Sequence, residues 1–239
     1  MGYLIGRLIL AIFVLTSGTI GGQPIWCPAK CLCSENNLSV TCKNIKLKRI
    51  QPDLPPFINS LDLTNNQISE ICNNTFIWHQ NLMKLILTDN RITTIEVGAF
   101  NGLVNLAELS LKLNRLNIDV LEASVFVQEH LPSIYLSNVY FRHKAVPKLI
   151  FRNITTLTKL HLSNSRLQAI PEGAFYGLEN LFELFLDGLM LDALDENVFS
   201  GLNSLITLNL KNNQLRVINP STFSRTLLQK ITKLYLAGN

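Results

Sequence analysis

Four of the five cysteines of this 239-residue chain lie close together, as Cys27, Cys31, Cys33 and Cys42, with three, one and eight residues between them. Such a cluster either crosslinks itself into two disulfides or holds a zinc ion. The spacing has neither two separated Cys-x-x-Cys pairs nor a His pair, which counts against zinc. Upstream, Arg7 precedes the apolar run Leu8 to Leu15 and the small, polar stretch Thr16 to Gln23. That order is the pattern of a secretory signal peptide with cleavage near Gly18 to Gly22, so residues 1–22 are read as a leader. The run is too short to favour an uncleaved membrane anchor. In an exported chain four clustered cysteines read as two disulfides, although spacing alone allows three connectivities. Cys72 has no obvious partner among them. It is expected to be a buried thiol, with an interchain bridge or half of an incomplete pair as the other readings.

The remaining reactive residue types offer no catalytic constellation. His79, His130, His143 and His161 sit at unrelated positions, the acids are scattered singly, and no phosphate-binding glycine loop, serine elbow or metal-ligand pair appears. Neither an enzyme nor a metal or cofactor site is expected. Asn37-Leu-Ser, Asn73-Asn-Thr and Asn153-Ile-Thr match the N-glycosylation acceptor pattern, which in an exported chain marks solvent-exposed backbone. Net charge is +4, charged residues are 16% of the chain, and no basic run is present. Neither nucleic acid nor an anionic membrane is indicated as a partner.

The elements that carry these residues are set by a repeat. Leu-x-Leu recurs from Leu61, Leu85, Leu109, Ile134, Leu160, Leu184, Leu208 and Leu234, at intervals of 24 to 26 residues. Each copy adds an apolar residue three positions earlier (Ile58, Leu82, Leu106, Leu131, Leu157, Leu181, Leu205, Ile231), and the first seven add a later phenylalanine. Those are Phe76, Phe100, Phe126, Phe151, Phe175, Phe199 and Phe223. A period this long is too long for one strand or helix turn, so each unit must be a strand, a turn and a returning segment that buries its apolar side against its neighbours. Asn66, Asn90, Asn114 and Asn213 stand where the chain leaves its strand, and their amides can pair with turn backbone that no regular ladder satisfies. Three consecutive units instead carry Val139, Ser165 and Leu189 there, and the first of them has extra residues around Pro147. The middle of the array is expected to be its least regular part.

Leu-x-x-Leu-x-Leu-x-x-Asn-x-Leu with a later Phe resembles the typical extracellular leucine-rich-repeat family. Residues 43–66, KNIKLKRIQPDLPPFINSLDLTNN, also resemble the entry into the repeats of Slit-like and Toll-like ectodomains. The resemblance covers about residues 27–239 and implies an α/β solenoid, a horseshoe with short parallel strands on the concave face and irregular or 3-10 convex segments. It implies a cysteine-rich cap over residues 27–58, with Cys27 paired to Cys33 and Cys31 to Cys42, followed by about eight repeats over 59–239. A solenoid needs such a cap, since its first repeat otherwise leaves a leucine face open to water. The chain stops inside the eighth unit, where Leu234 and Leu236 are expected to face water. An incomplete ectodomain, missing further repeats and a carboxyl-terminal cap, is the expectation; a shorter natural isoform would instead have to close that end through a partner or as a homodimer.

Recognition is then the expected function. The residue between the two leucines points away from the core, so stacking lines up Asp62, Ile86, Ser110, Tyr135, His161, Phe185, Asn209 and Tyr235 on the concave sheet. Tyr135, His161 and Phe185 form an exposed aromatic strip, framed by Lys112, Lys159, Glu183, Asp187 and Lys211. An apolar centre with a charged rim is the pattern of a protein-binding patch. The resemblance implies a non-catalytic module, secreted or on the outer face of the plasma membrane, that recognises a protein as a receptor, adhesion or guidance protein. A structural matrix protein and an innate-immune recognition ectodomain are the alternatives.

Overall fold

The computed structural model describes residues 19–20, 22–116, 123–126, 131–139, 145–146, 150–151 and 154–239. The leader assignment therefore lies almost wholly outside the described residues, as do Asn153, His130, His143 and Pro147.

Each Leu-x-Leu forms a three-residue strand because two apolar residues flanking one outward position bury a single face of an extended segment. Numbered in chain order, the strands are β1 (Thr19–Ile20), β2 (Gln23–Pro24), β3 (Leu32–Ser34), β4 (Ser39–Thr41), β5 (Ser60–Asp62), β6 (Glu70–Ile71), β7 (Lys84–Ile86), β8 (Thr94–Ile95) and β9 (Glu108–Ser110). They continue as β10 (Ser133–Tyr135), β11 (Lys159–His161), β12 (Glu183–Phe185), β13 (Thr207–Asn209) and β14 (Lys233–Tyr235). Ten of them make one sheet in the order β3, β4, β5, β7, β9, β10, β11, β12, β13, β14. All its neighbours are parallel except the β3–β4 hairpin of the cap. Register pairs the repeat leucines throughout, Leu61 with Leu85, Leu85 with Leu109, and so on to Leu208 with Leu234. The strand ladder runs without interruption through the three units that lack asparagine.

Among the described residues the convex side is built from turns, the short 3-10 segments Ala123–Phe126 and Pro220–Thr222, the α-helix Arg225–Lys230, and the two-stranded β6–β8 pair. Between the two sides lies the core. Its leucines and isoleucines are almost wholly buried, and the phenylalanines stack along the solenoid axis, Phe76 on Phe100 and Phe175 on Phe199 with ring centroids 6.4 Å apart. Truncating any one of these rings removes contacts on both sides and costs about 3–5 kcal/mol.

The asparagines act as a ladder of their own. Asn90 donates from Nδ2 to the Leu63 and Leu87 carbonyls and accepts at Oδ1 from the Ile68 amide. Asn114 repeats this one unit later, on Leu87, Leu111 and Ile92. Ser165 does part of the work, donating to the Leu136 carbonyl and accepting from the Val139 amide. The residue just before the asparagine takes a left-handed conformation in every unit, as Asn65, Asp89, Leu113, Asn138, Asn164, Gly188, Asn212 and Gly238. Asparagine, aspartate and glycine tolerate that region; Leu113, at φ 56°, does not do so readily.

At the amino-terminal end, disulfides join Cys27 to Cys33 and Cys31 to Cys42. Cys31, Cys42 and Val40 are buried in the same core as Leu61, and Trp26 packs edge-on against Phe57 with centroids 5.3 Å apart. Cys72 is exposed, which corrects the expectation of a buried thiol. Ile71 in β6 is buried, and the alternation of an extended chain turns the next side chain outward.

Candidate functional site

The outward column of the concave sheet forms as the repeat register requires, and three of its members become a single unit. Tyr135 stacks on His161 with centroids 4.5 Å apart and planes 23° from parallel; His161 stacks on Phe185 at 4.1 Å and 7°. Parallel strands in strict register hold successive side chains about 5 Å apart, close to the separation of stacked rings. The rings are consequently half-buried, where the sequence reading expected an exposed strip. Ser110, expected on the same outward column, is buried and shares a 2.9 Å hydrogen bond with Thr88.

The flanking charges are engaged with one another. Lys159 Nζ lies 2.7 Å from Glu183 Oε2, a bond that raises the lysine pKa. Lys112 Nζ sits 4.6 Å over the Tyr135 ring, and Lys211 caps Tyr235 in the same way at 4.8 Å. Asp187 accepts from Ser163 Oγ at 2.8 Å and from Asn209 Nδ2 at 3.0 Å. The frame is therefore preset: each charge meets its partner within the sheet, so a ligand need not rearrange it. His161 feels the whole arrangement. Burial against the two rings, then the nearby Lys112 and Lys159, bring its pKa down to about 4 against the weaker opposing pull of Glu183 and Asp187. It is a neutral ring at physiological pH.

Of the other residues singled out, Asn37 and Asn73 are exposed, as glycan acceptors must be. No group of His, Cys, Asp or Glu that could hold a metal ion occurs among the described residues. No helix among them is long and apolar enough to cross a membrane.

The family pattern described as leucine rich repeat matches residues 56–116 and 80–138, and a second, the BspA type leucine rich repeat region, matches 120–234. The chain belongs to the leucine-rich-repeat family. It is 36% identical to leucine-rich repeat-containing protein 3 of Danio rerio over 137 residues, which is 56% of this chain and 49% of that protein. It is 44% identical to human leucine-rich repeat-containing protein 3B over 92 residues, 38% of this chain and 36% of that one. The chain thus spans half or less of the length of these relatives. Among solved structures, human trophoblast glycoprotein superimposes with a TM-score of 0.73 at 25% identity, covering 92% of this chain and 82% of that one. The Toll chain of the Toll–Spätzle complex from Drosophila has the same fold, at TM-score 0.73 and 24% identity over 84% of this chain and 26% of that one. These relatives are leucine-rich-repeat ectodomain types, and the family and fold are non-enzymatic.

One grouping escaped the sequence reading. Lys46, Arg91 and Arg115 are far apart along the chain, yet each stands six residues past the first apolar position of its strand, after Val40, Leu85 and Leu109. Counting register from Val40 rather than Leu61 was the signal that would have found them.

Proposed function

We propose that this chain is an extracellular protein-recognition module whose contact surface is the concave strip Tyr135–His161–Phe185. The observation that supports it most is the rigid stack of three half-exposed rings inside a frame of charges already paired with each other. Aromatic residues that give up little side-chain freedom on binding are the usual anchors of protein interfaces, and prepaired charges at the rim lower the desolvation cost. Two disulfides in the cap fit an oxidising, extracellular setting. Toll, a chain of the same fold, forms a complex with Spätzle, which illustrates the mode without naming a partner here. Roles as receptor, adhesion protein or matrix component would all use such a surface.

The experiment is a binding screen of the secreted protein against a panel of extracellular ectodomains, each hit then measured by surface plasmon resonance. Replacing Tyr135 and Phe185 together by alanine is expected to weaken a genuine partner by about 30-fold or more, the loss of one hot spot. Because the rings also stack, a second variant of lowered stability remote from the strip, Asn90→Ala, serves as control and should bind as the wild type does. Undiminished binding of every hit by the double variant rejects the concave strip as the contact surface.

A further inference from the structure

Where β4, β5, β7 and β9 leave the sheet, the rim of the solenoid carries a shallow depression of about 470 Å³. It is lined by Lys46, Arg91 and Arg115, by the amides of Asn44, Asn65 and Gln67, and by Asp89. The three cations are exposed, and no ion pair joins them to Asp89 or to any other acid among the described residues. By contrast, Lys43, Lys84 and Lys159 are each bridged to a carboxylate on the adjoining strand. At the rim the solenoid lines up unpaired positive charge, Arg91 and Arg115 one strand repeat of about 5 Å apart and Lys46 two strands from Arg91 with Gln67 between, beside side-chain amides that can both donate and accept.

We infer that this rim is a binding site for a sulfated polysaccharide, distinct from the concave strip. A linear polyanion with regularly spaced sulfates and intervening hydroxyls meets both features, since guanidinium and ammonium groups take the sulfates and the amides take hydroxyls. An acidic peptide fits less well. Peptide sites draw their affinity from buried apolar or aromatic anchors, and the only large apolar side chain lining the depression is Leu113. The location leaves the surface free. Asn37 stands in the β3–β4 turn, at the opposite end of β4 from Lys46, and Asn73 follows β6 on the convex side, so a glycan on either leaves the rim uncovered. The aromatic strip lies on the strands β10, β11 and β12, whereas the rim site lies past the strand exits and ends at Arg115, beyond β9.

The test uses a size-defined heparin oligosaccharide as probe, titrated calorimetrically into the secreted full chain at several NaCl concentrations. Three phosphate-like contacts predict a log K against log salt slope of about −2.1 to −2.7, a loss of roughly 20- to 40-fold between 50 and 200 mM. Combined Lys46→Gln, Arg91→Gln and Arg115→Gln substitutions should abolish measurable binding, and Arg91→Gln alone should reduce the slope by about one. All three side chains are exposed, so circular dichroism of the variants should match the wild type. Lys112→Gln with Lys211→Gln, on the concave face, should leave affinity unchanged. The proposal is overturned by wild-type binding in the triple variant, by equal binding of N- and O-desulfated heparin, or by polyglutamate binding as tightly as heparin, which would make the rim an acidic-peptide site.

Discussion

Asn90 and Asn114 occupy the same position in successive repeats and make the same set of hydrogen bonds, yet removing them should not cost the same. Alanine at 90 strands the buried Ile68 amide, which has lost its acceptor, at about 1–3 kcal/mol. The two carbonyls it served keep a donor each, because Leu63 O also accepts from Asn66 Nδ2 and Leu87 O from Asn114 Nδ2. Alanine at 114 likewise strands the Ile92 amide, and Leu87 O keeps Asn90. Leu111 O, however, is left bare. The next unit has Val139 where an asparagine would reach back, and no other donor meets that carbonyl among the described residues. A second buried polar group without a partner adds about another 1–3 kcal/mol, so Asn114→Ala should cost roughly twice as much as Asn90→Ala.

Urea unfolding followed by circular dichroism reads the difference as a lower midpoint for Asn114→Ala. Repeat arrays can lose all-or-none behaviour, so hydrogen exchange by mass spectrometry supplies the local readout. Protection should drop around Ile68 in one variant, and around both Ile92 and Leu111 in the other. Equal midpoints, or a larger loss for Asn90→Ala, would refute the view that each carbonyl at a strand exit is shared between two asparagines.

Three other outcomes are expected. Leu113→Asn should raise stability by about 1 kcal/mol in the same urea assay, because leucine pays for a left-handed φ of 56° that asparagine adopts at Asn65, Asn138 and Asn164. His79→Leu should also stabilise. The imidazole is buried in the core at the place where other units carry Leu103, Ile154, Leu178 and Leu202. The Leu54 and Phe76 carbonyls lie near the ring without closing a hydrogen bond, so burial dominates and lowers its pKa below 6.5. A group with a lowered folded pKa that must stay neutral holds its contribution above pH 6.5 and loses it as pH falls toward the folded value. The wild-type melting temperature should therefore drop further between pH 7.5 and 5.0 than that of His79→Leu; parallel drops would show that His79 stays uncharged in the unfolded chain or charges freely in the folded one. Finally, with His161 titrating at about 4, partner binding at the aromatic strip should be flat from pH 7.5 to 5.5 in surface plasmon resonance, unless the partner titrates.

Much of this architecture is legible in the sequence because the repeat fixes burial and register together. Once Leu61 and Leu85 are aligned, every leucine, phenylalanine and outward residue in between has its place, and the aromatic column follows from counting. Burial state at the edges of the repeat is harder. Cys72 was misplaced because apolar type suggests interior, whereas the alternation after Ile71 decides the direction. The rim cations were missed for the opposite reason: proximity along the chain is a poor guide in a solenoid, where neighbours in space are about 24 residues apart in sequence and the cap counts as a unit. The carbonyl sharing among asparagines was also beyond reach, since it depends on which side of each turn the amide faces.

The aromatic strip and the missing asparagines fall in the same three units, and the structure gives that coincidence a physical sense. Without Asn at 139, 165 and 189 the amide ladder thins there: Ser165 replaces part of it, and at the third turn Asn213 reaches back to the Leu186 carbonyl and the Leu189 and Leu191 amides. Stacked rings supply a second ladder on the outer face of the same strands, two contacts worth about 0.5–1.5 kcal/mol each beyond the area they bury. The two ladders differ in what they leave for a ligand. An asparagine ladder spends its hydrogen-bonding groups inside the turn and shows solvent nothing, whereas an aromatic ladder keeps its ring edges half-exposed while holding them rigid. A strip that is needed to stiffen the middle of the solenoid is by that fact preorganised for contact, so stability and recognition at Tyr135, His161 and Phe185 are not competing explanations. They separate only in the variants: truncation lowers both, whereas Phe185→Tyr keeps the ring stack and changes only the polar edge a partner would meet. That variant should melt as the wild type does while altering affinity, and an unchanged affinity together with unchanged melting would leave the strip a purely structural ladder.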